Sequence, residues 1–429
     1  MKTSLSHPSL INIGIVGCGN IGSAAAEAIR KNHAVVLANT GLDLKIKGVC
    51  DVRKVKTSFP LTHDPMDLIN DPEISVIVEA MGGVNPALKY ILAALNAGKH
   101  VVTPNKEVVA KHLPEMLAAA RKNGVQILFE GAVGGGIPIL QSLRQSLAGN
   151  SISEIYGIVN GTTNYILSKM LDAGMEFSEA LERAQTKGYA EPNPTNDIDG
   201  FDAMYKAVIL AEVAFGVQVD WKTIPCEGIR GISQEDIQYA GEIGYVIKLL
   251  ATAKKVKDGL DVRVHPTLVP KSHPLASVAC NYNAIYVKGE PVGDLMFYGQ
   301  GAGGGPTASA IMGDIIEAVN DKCPTCLPAG KVTNDKLRKI ILSKNGEIQS
   351  RYYIRLQVPD RCGVLAEISK AFARKRVSIA AVMQKETVGN LATIVILVDK
   401  AAEKDFSSAI AIIKKLAVVH RVCSVIRIM

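Results

Sequence analysis

The sequence predicts an α/β protein of three domains, and three observations support this fold class. A short β run from Ile11 to Val16 is followed by a glycine-rich turn and then by a helical pattern. Further strand and helix patterns alternate along the first third of the chain, which is typical of a parallel sheet. From Arg351 the pattern begins again in the order βαββαβ, which indicates a ferredoxin-like domain.

The composition fits an aliphatic core and argues against several classes of partner. Hydrophobic residues make up 48% of the 429 residues and aromatic residues 5%, which suits a folded α/β protein. The net charge of +7 is not gathered into basic runs, so we expect no nucleic-acid partner. No apolar stretch is long enough for a membrane span, and residues 1–10 lack a signal-peptide core. We therefore expect a cytoplasmic protein without a membrane partner.

The cysteines are scattered, which favours reduced thiols. Only Cys323 and Cys326 form a close pair, and no second pair or neighbouring histidine completes a zinc set. We interpret this pair as incidental to its loop, with a metal or redox role as the open alternative.

The turn after the first strand is the strongest nucleotide signal. Strand, GxGxxG and helix follow in the order of a dinucleotide fingerprint. The helix N-terminus then offers free N–H groups to a pyrophosphate. The candidate phosphate-binding residues are Gly17, Gly19, Asn20, Ile21 and Gly22. A Rossmann-type domain that binds NAD or NADP follows from this pattern.

The end of the second strand gives conflicting signals about the cofactor. Asp51 stands where an acid binds the ribose 2′-hydroxyl of NAD. Arg53, Lys54 and Lys56 follow at once and could hold the 2′-phosphate of NADP. The sequence therefore leaves the choice between NAD and NADP open.

Two further segments lie where such folds bind ligands. Thr103 and Lys106 follow a buried strand, and ligands bind at the carboxyl ends of parallel strands. The glycine-rich loop from Tyr298 to Thr307 opens a helix whose first N–H groups could touch cofactor, and Gly303 is the candidate contact. A plain solvated lysine and a plain turn are the alternatives.

The stretch from Ala184 to Lys206 contains the candidate proton-transfer group. Two prolines hold its first half extended, and an apolar helix begins after Gly200. Asp202 and Lys206 are four positions apart on that helix, so they share one face. We expect four carboxylates to converge on Lys206: Glu191, Asp197, Asp199 and Asp202. A lysine among acids can give and take a proton, although a surface ion pair is the simpler alternative.

This stretch resembles, position for position, the signature of the homoserine dehydrogenases. The matching residues are Gly188, Pro194, Asp197, Gly200, Asp202 and Lys206. The segments Thr103 to Lys106 and Asn160 to Asn164 are also typical of that family. Asp360 and Gly363, followed by Val364, resemble the first turn of an ACT domain. The resemblance covers nearly the whole chain except a polar linker.

The resemblance implies the domain boundaries and the reaction. We expect a Rossmann domain over 1–137 completed by a helix near 305–320, a substrate and dimerisation domain of α+β type over 138–304, a linker over 321–350 and an ACT domain over 351–429. The implied reaction is the reversible reduction of L-aspartate 4-semialdehyde to L-homoserine with NADH or NADPH, in threonine, methionine and isoleucine biosynthesis. No kinase-like region precedes the first strand, so we expect a monofunctional member.

The resemblance also implies roles for particular residues. Lys206 would be the proton donor, Asp202 would orient it and bind substrate, Lys106 would polarise the carbonyl, and Glu191 would bind the substrate amino group. The glycine-rich segment after Phe129 resembles a loop for a monovalent cation, Na⁺ or K⁺. The carbonyls carried over are those of Glu130, Val133, Gly135 and Ile137.

The ACT resemblance implies an amino-acid effector, with threonine as the expected ligand at Gly363 and Asn390, and a homodimer or homotetramer. A dimerisation module without ligand is the alternative, since fold does not fix function. Two other functions stay open: an aspartate dehydrogenase-like enzyme, and an amino-acid sensor that has lost catalysis. The sequence does not decide which amino acid inhibits or how many subunits assemble.

Overall fold

The computed structural model describes residues 8–257, 259–320, 332–333, 336–339 and 348–429. These residues fall into two compact units. Unit 1 comprises Met1–Ile155, Tyr205–Thr223 and Asn283–Ile340, and unit 2 comprises Tyr156–Met204, Ile224–Tyr282 and Ile341–Met429. Each unit therefore contains segments that are far apart in the sequence.

The strands are β1 Ser9–Val16, β2 Leu42–Cys50, β3 Leu61–Thr62, β4 Val76–Glu79, β5 His100–Val102, β6 Ile127–Leu128, β7 Ser151–Ile158, β8 Val217–Gln218, β9 Tyr245–Val256, β10 Gly259–Pro270, β11 Tyr282–Glu290, β12 Gly293–Gln300, β13 Val332–Thr333, β14 Lys336–Lys339, β15 Gln349–Pro359, β16 Ile379–Val388, β17 Leu391–Ala402 and β18 Arg421–Ile428. The helices are α1 Asn20–Lys31, α2 His33–Thr40, α3 Pro65–Ile69, α4 Ala87–Asn96, α5 Lys106–Lys122, α6 Ile139–Arg144, α7 Gly161–Ala173, α8 Phe177–Thr186, α9 Thr195–Ile198, α10 Phe201–Phe215, α11 Gln234–Glu242, α12 Gly304–Asn320, α13 Val364–Arg374 and α14 Glu403–Ile413.

Unit 1 is built on a six-stranded sheet in the order β3-β2-β1-β4-β5-β6. All of its pairings are parallel, so the carboxyl ends of the strands meet at one edge. The central strand β1 is apolar because helices cover both faces of such a sheet, and Ile13 and Ile15 are fully buried. The predicted Rossmann-type sheet is therefore confirmed.

Helices α1 and α12 pack on this sheet within unit 1. Ala25, Ala26 and Ile29 of α1 share one apolar cluster with Ile311 and Ile315 of α12. Helix α12 is nearly 300 residues away from α1 in the sequence, yet the two helices share the core beneath the glycine-rich turn. Its first residues are thereby brought close to that turn.

Unit 2 contains a second sheet, whose strands β9-β10-β18-β15-β17-β16 are hydrogen-bonded in that order. Strands β15 to β18 with α13 and α14 form the predicted βαββαβ domain, which is confirmed. Its core includes Ile354, Leu356, Ile368, Phe372 and Ile396. These side chains are buried because the helices cover one face of the sheet.

The sheet of the C-terminal domain is continuous with that of the preceding domain. Strand β18 pairs in parallel with β10 through Arg427 and Ile428, while β9 and β10 form a long antiparallel pair. Edge strands carry unpaired N–H and C=O groups, and this pairing covers part of two such edges. The C-terminal domain is therefore an extension of the unit 2 sheet, which the sequence pattern did not indicate.

Two details differ from the sequence-based expectations. Strand β9 was not predicted. The expected linker contains β14, whose Arg338 pairs with Val217 of β8.

Residues Cys323 and Cys326 lie outside the described residues. Within the described part of the chain, no helix has the length and hydropathy needed to cross a membrane.

Candidate active site

The glycine-rich turn of unit 1 is shaped for a close ligand. Gly17 has φ +98°, and a Cβ at Gly22 would lie 1.8 Å from the Gly17 carbonyl oxygen, so only glycine permits this packing of strand and helix. Gly19 is the N-cap of α1 and no side chain caps the helix. The first N–H groups of α1, at Asn20 and Ile21, are therefore available to an anion such as a pyrophosphate.

Two cavities of unit 1 open beside this turn. One, of about 380 Å³, is lined by Gly17, Gly19, Asp51, Ala80 and Tyr90 among others. The other, of about 640 Å³, is lined by Gly19, Asn20, Arg53 and Lys54 among others. The first is largely apolar and the second is basic, which suits the adenosine and phosphate parts of a dinucleotide.

Asp51 and Arg53 form an ion pair with each other, so they do not act as two competing ligands of the cofactor ribose. The Arg53 guanidinium donates from Nε to Oδ1 over 2.9 Å and from a terminal nitrogen to Oδ2 over 3.0 Å. The main-chain N–H groups of Arg53 and Cys18 also donate to this carboxylate. Mainly because of Arg53, the pKa of Asp51 is far below its usual value. Asp51 thus holds Arg53 at the mouth of the cavity.

Lys106 is the first residue of α5, directly beyond the end of β5. Asn105 caps this helix by accepting from the Val108 N–H over 3.3 Å, and it donates to the Gly83 carbonyl over 2.7 Å. The Thr103 hydroxyl is fully buried and donates to the Glu79 carboxylate over 2.6 Å. Thr103 therefore supports the turn that presents Lys106, and its own side chain is not exposed to a ligand.

Glu79 is a residue that the sequence reasoning missed. It ends β4, is only 1% exposed, and also accepts from the Met81 N–H over 2.7 Å. Burial raises its pKa, while the hydrogen bonds from Thr103 and Met81 oppose that rise. An acid at the end of a buried parallel strand was the available signal.

The glycine-rich loop after β6 holds a buried pair of acids within unit 1. The Glu130 carboxylate accepts from the N–H groups of Leu140 and Gln141 at the start of α6, and burial raises its pKa to about 7. The Glu130 N–H donates to Asp314 over 2.8 Å, and burial raises the pKa of Asp314 well above its usual value. The carbonyls of Glu130 and Ile137 accept local main-chain hydrogen bonds, and Val133 and Gly135 complete the candidate set.

The second glycine-rich loop approaches the nucleotide turn inside unit 1. Gly303 has φ +120°, and its carbonyl accepts from the Thr307 N–H in the first turn of α12. A Cβ at Gly304 would lie 3.0 Å from the Ala24 Cβ and 3.7 Å from the Asn20 carbonyl oxygen. The structure therefore places Gly303 next to the residues that would hold the pyrophosphate.

Lys206 lies on α10, one turn beyond Asp202, and only 7% and 6% of these residues are exposed. Asn160 donates from Nδ2 to Asp202 over 2.9 Å and to Asp197 over 2.7 Å. The Asn160 side-chain oxygen accepts from the Thr163 N–H and caps α7. One amide thus fixes two of the predicted carboxylates against the start of a helix.

The other two acids of the expected cluster are placed differently. Asp199 forms an ion pair with Arg230, a partner that the expected cluster around Lys206 did not include. Arg230 is distant from Asp199 in the sequence, so no local pattern predicts this ion pair. Glu191 is exposed, and its main-chain carbonyl accepts from Gln185 over 3.2 Å.

The two lysines of the candidate site lie on helices that touch within unit 1. Lys111 of α5 places its ammonium 5.1 Å from the ring centre of Tyr205 on α10, and 4.6 Å from that of Trp221. Such cation–π contacts fix the two helices against each other. Lys106 and Lys206 therefore lie on two helices that contact each other within unit 1.

In the C-terminal domain, two turns meet. Gly363 has φ +90° and precedes α13, and Asn390 follows β16. The Asp360 N–H donates to the Asn390 carbonyl over 3.1 Å, and Gln384 donates to the Asp360 carboxylate over 3.2 Å. The structure thus brings the candidate effector residues Gly363 and Asn390 to one end of the domain.

The fold and these sites define an NAD(P)-dependent oxidoreductase that carries a ferredoxin-like C-terminal domain. Family models for the homoserine dehydrogenase NAD-binding domain, homoserine dehydrogenase and the ACT domain match residues 17–130, 138–316 and 352–418. A homoserine dehydrogenase of Synechocystis sp. is 41% identical over 98% of this chain and 99% of its own length. The chain belongs to the homoserine dehydrogenase family.

Solved structures agree with this assignment. The crystal structure of a homoserine dehydrogenase from Thiobacillus denitrificans is similar with a TM-score of 0.92, at 38% identity over 98% of each chain. A hyperthermophilic archaeal homoserine dehydrogenase in complex with NADPH is similar with a TM-score of 0.61. It is 28% identical and covers 72% of this chain and 98% of its own.

Proposed function

We propose that this enzyme reduces the aldehyde of L-aspartate 4-semialdehyde to the primary alcohol of L-homoserine, and reverses that reaction. Bound NAD(P)H supplies the hydride to the aldehyde carbon. The oxygen must gain a proton as its negative charge develops. The observation that carries the proposal is the buried Lys206 one turn from the buried Asp202 in a member of this family.

Each polar residue has a proposed part in this step. Lys206, as an ammonium, donates the proton to the carbonyl oxygen, and as an amine it accepts that proton in oxidation. Asp202 orients Lys206 and binds substrate, and Asn160 holds Asp202 in place. Lys106 polarises the same oxygen, and Glu191 receives the substrate ammonium. Thr103 and Glu79 hold the turn before Lys106.

The cofactor cavity favours NADPH, and NADH also fits. Arg53 compensates the charge of Asp51, and Lys54 adds a further positive charge at the basic cavity. A 2′-phosphate would therefore meet a net positive surface. This electrostatic balance supports use of both cofactors with a preference for NADPH.

The glycine-rich loop supports a proposal for a monovalent cation. The carbonyls of Glu130, Val133, Gly135 and Ile137 are oxygen ligands of the kind that hard cations prefer. Glu130 and Asp314 are buried nearby, and a bound cation would favour the ionised form of these carboxyl groups, whose pKa values burial raises. We propose that Na⁺ or K⁺ binds here and keeps the loop ordered.

The C-terminal domain supports a regulatory proposal. ACT domains bind amino acids, and the turns at Gly363 and Asn390 are where the family resemblance places such a ligand. We propose threonine as an effector there, and a homodimer or homotetramer as the assembly. We also propose the domain boundaries 1–137, 138–304 and 351–429.

The test is a substrate screen with the purified full-length enzyme. NADPH oxidation should require L-aspartate 4-semialdehyde, and L-homoserine should accumulate in equal amount. Turnover of oxaloacetate with ammonia instead would indicate an aspartate dehydrogenase. If the enzyme turns over none of these substrates but still binds NADPH and amino acids, it is a sensor, and the proposal is contradicted.

A further inference from the structure

Lys111 of α5 lies between two aromatic rings of unit 1. Its ammonium is 5.1 Å from the ring centre of Tyr205 on α10 and 4.6 Å from that of Trp221. The two ring centres are 6.0 Å apart, and the ring planes are tilted by 59°. We call Lys111, Tyr205 and Trp221 the lysine cage. It joins three segments: α5, the first half of α10 and the segment that follows β8.

The cage lysine is oriented from its own helix. Glu107 lies one turn before Lys111 and accepts from its ammonium over 2.5 Å, and only 17% of the Lys111 side chain is exposed. Partial burial lowers the pKa of Lys111, but hydrogen bonds to Glu107 and Tyr205 outweigh this effect and raise the pKa above its ordinary value. The side chain therefore stays an ammonium at neutral pH, which a cation–π contact requires.

The lysine cage lies beside both lysines of the candidate site. Lys106 is the first residue of α5, which also carries Lys111, and Lys206 directly follows Tyr205 on α10. Neighbouring residues of a helix move together, because main-chain hydrogen bonds tie each turn to the next. A displacement of Tyr205 relative to Lys111 would therefore change the separation of Lys106 and Lys206.

Such a displacement should affect turnover more than folding. A partly exposed cation–π contact contributes little to the stability of a whole protein. In contrast, misplacing a reacting group by about 1 Å can cost about 100-fold in rate. We propose that Lys111 is a positioning residue, which sets the distance between Lys106 and Lys206 through the rings of Tyr205 and Trp221. Its effect on turnover rests on the proposed function of the two lysines.

Steady-state kinetics of the full-length enzyme test this role. Lys111→Ala should lower kcat with L-aspartate 4-semialdehyde about tenfold, a moderate loss of positioning. The KM for NADPH should stay near that of the unmodified enzyme, because the two cavities beside the glycine-rich turn are lined by other residues. Lys111→Arg should restore most of the rate, since a guanidinium also stacks on aromatic rings.

Lys222 provides the matched control. It is exposed, and its ammonium lies 5.8 Å from the ring centre of the same Trp221, but it follows that tryptophan directly and does not reach across from α5. Lys222→Ala therefore removes a lysine from the same ring without releasing one helix from the other. Its kcat should equal that of the unmodified enzyme.

Two further measurements do not depend on catalysis. Trp221 is the only tryptophan of the chain, so its fluorescence reports on the lysine cage directly. Lys111→Ala should shift the emission maximum, and Lys111→Arg should shift it less. If the cage joins the two helices, the fall in Tm of the Lys111→Ala, Tyr205→Leu double variant should be smaller than the sum of the falls for the single variants.

Three results would overturn the proposal. One is a Lys111→Ala enzyme with shifted Trp221 emission and unchanged kcat, because the cage would then be lost without effect on the reaction. The second is an equal rise in the KM for NADPH, which would indicate a general disturbance of unit 1. The third is additive falls in Tm. An unmodified enzyme that does not reduce the semialdehyde would instead contradict the proposed reaction, and the Tm comparison would still decide whether the cage joins the helices.

Discussion

The Lys206 side chain is buried, and the protein interior disfavours the charged form of a lysine. Burying an unpaired ammonium is strongly unfavourable, so such groups are retained where a partner or a function compensates. Asp202 lies one turn away and is equally buried, and Asn160 fixes its carboxylate. Both side chains are therefore shielded from bulk water, and the proposed proton transfer would use that shielding.

The Asp51–Arg53 pair predicts how cofactor choice will respond to mutation. Arg53→Ala should raise the KM for NADPH by about 10- to 100-fold, the range for losing a charge-assisted hydrogen bond. The KM for NADH should change far less, because no 2′-phosphate is present. Steady-state kinetics with both cofactors provide the measurement, and Lys45→Ala, an exposed lysine of β2, is the control. Equal losses for both cofactors would contradict the assignment of Arg53 to the phosphate.

The raised pKa of Glu130 predicts a pH dependence of stability. The folded carboxyl keeps its proton up to about pH 7, whereas the ordinary value is 4.5. As pH rises through that window the unfolded state ionises first, so the folded state loses stability relative to it. Glu130→Gln should therefore reduce the fall in Tm across the window by on the order of 3 °C.

Melting curves recorded between pH 4.5 and 7 measure this effect. Glu182→Gln, at an exposed position of α8, should leave the pH dependence unchanged. An undiminished fall in Tm for Glu130→Gln would show that the carboxyl ionises normally in the folded protein.

At the scale of elements, the contact between α1 and β1 decides whether the nucleotide turn can form. The helix approaches so closely that Gly22 has no room for a Cβ beside the Gly17 carbonyl. Gly313 of α12 is the opposite case, since a Cβ there would meet no atom within 4 Å. The same substitution should therefore have opposite effects in the two helices.

Gly22→Ala should destabilise unit 1 by at least about 1–3 kcal/mol through overpacking, and should weaken NADPH binding. Gly313→Ala should stabilise it by roughly 0.5–1 kcal/mol, because alanine favours a helix over glycine. Thermal melting and fluorescence titration with NADPH measure both effects. A Gly22→Ala protein with unchanged Tm and affinity would show that the helix can move away at no cost.

Elements with a local signal were predictable from the sequence. Periodicity and turn residues predict β1, the GxGxxG turn and α1, and they also predict the βαββαβ order of the C-terminal domain. Contacts between distant segments were not predictable. Local sequence patterns predict neither the pairing of β10 with β18 nor the ion pair of Asp199 with Arg230. Glu79 could have been found from its place at the end of β4, but its hydrogen bond from Thr103 joins segments that are distant in the sequence.

At the scale of the whole molecule, the sheet of unit 2 joins the C-terminal domain to the segments that hold Asn160 and Asp202. The ion pair of Arg355 with Asp236 ties α11 to β15, and Ser424 ties it to β18. The C-terminal domain is fastened in this way to α11 of unit 2. Its attachment depends on buried charges as well as on strand pairing.

Arg355→Met should lower the thermal stability of this attachment. It leaves the fully buried Asp236 without its guanidinium, and removing one partner of a buried ion pair costs about 3–5 kcal/mol. Hydrogen exchange should show early opening of α11 and β18, and Tm should fall. Arg361→Met, at an exposed position of the same domain, should change neither. Unaltered exchange in Arg355→Met would mean that strand pairing alone holds the domain.

Turnover by the Lys206→Ala enzyme tests the central claim most directly. With NADPH and L-aspartate 4-semialdehyde, kcat should fall about 10²- to 10⁴-fold, the usual range for a positioned acid, while NADPH affinity stays near that of the unmodified enzyme. Added methylamine should restore part of the rate, since a small amine can donate the missing proton. Lys187→Ala, an exposed lysine of the same stretch, should keep full activity. A Lys206→Ala enzyme that turns over at nearly the unmodified rate would contradict the account.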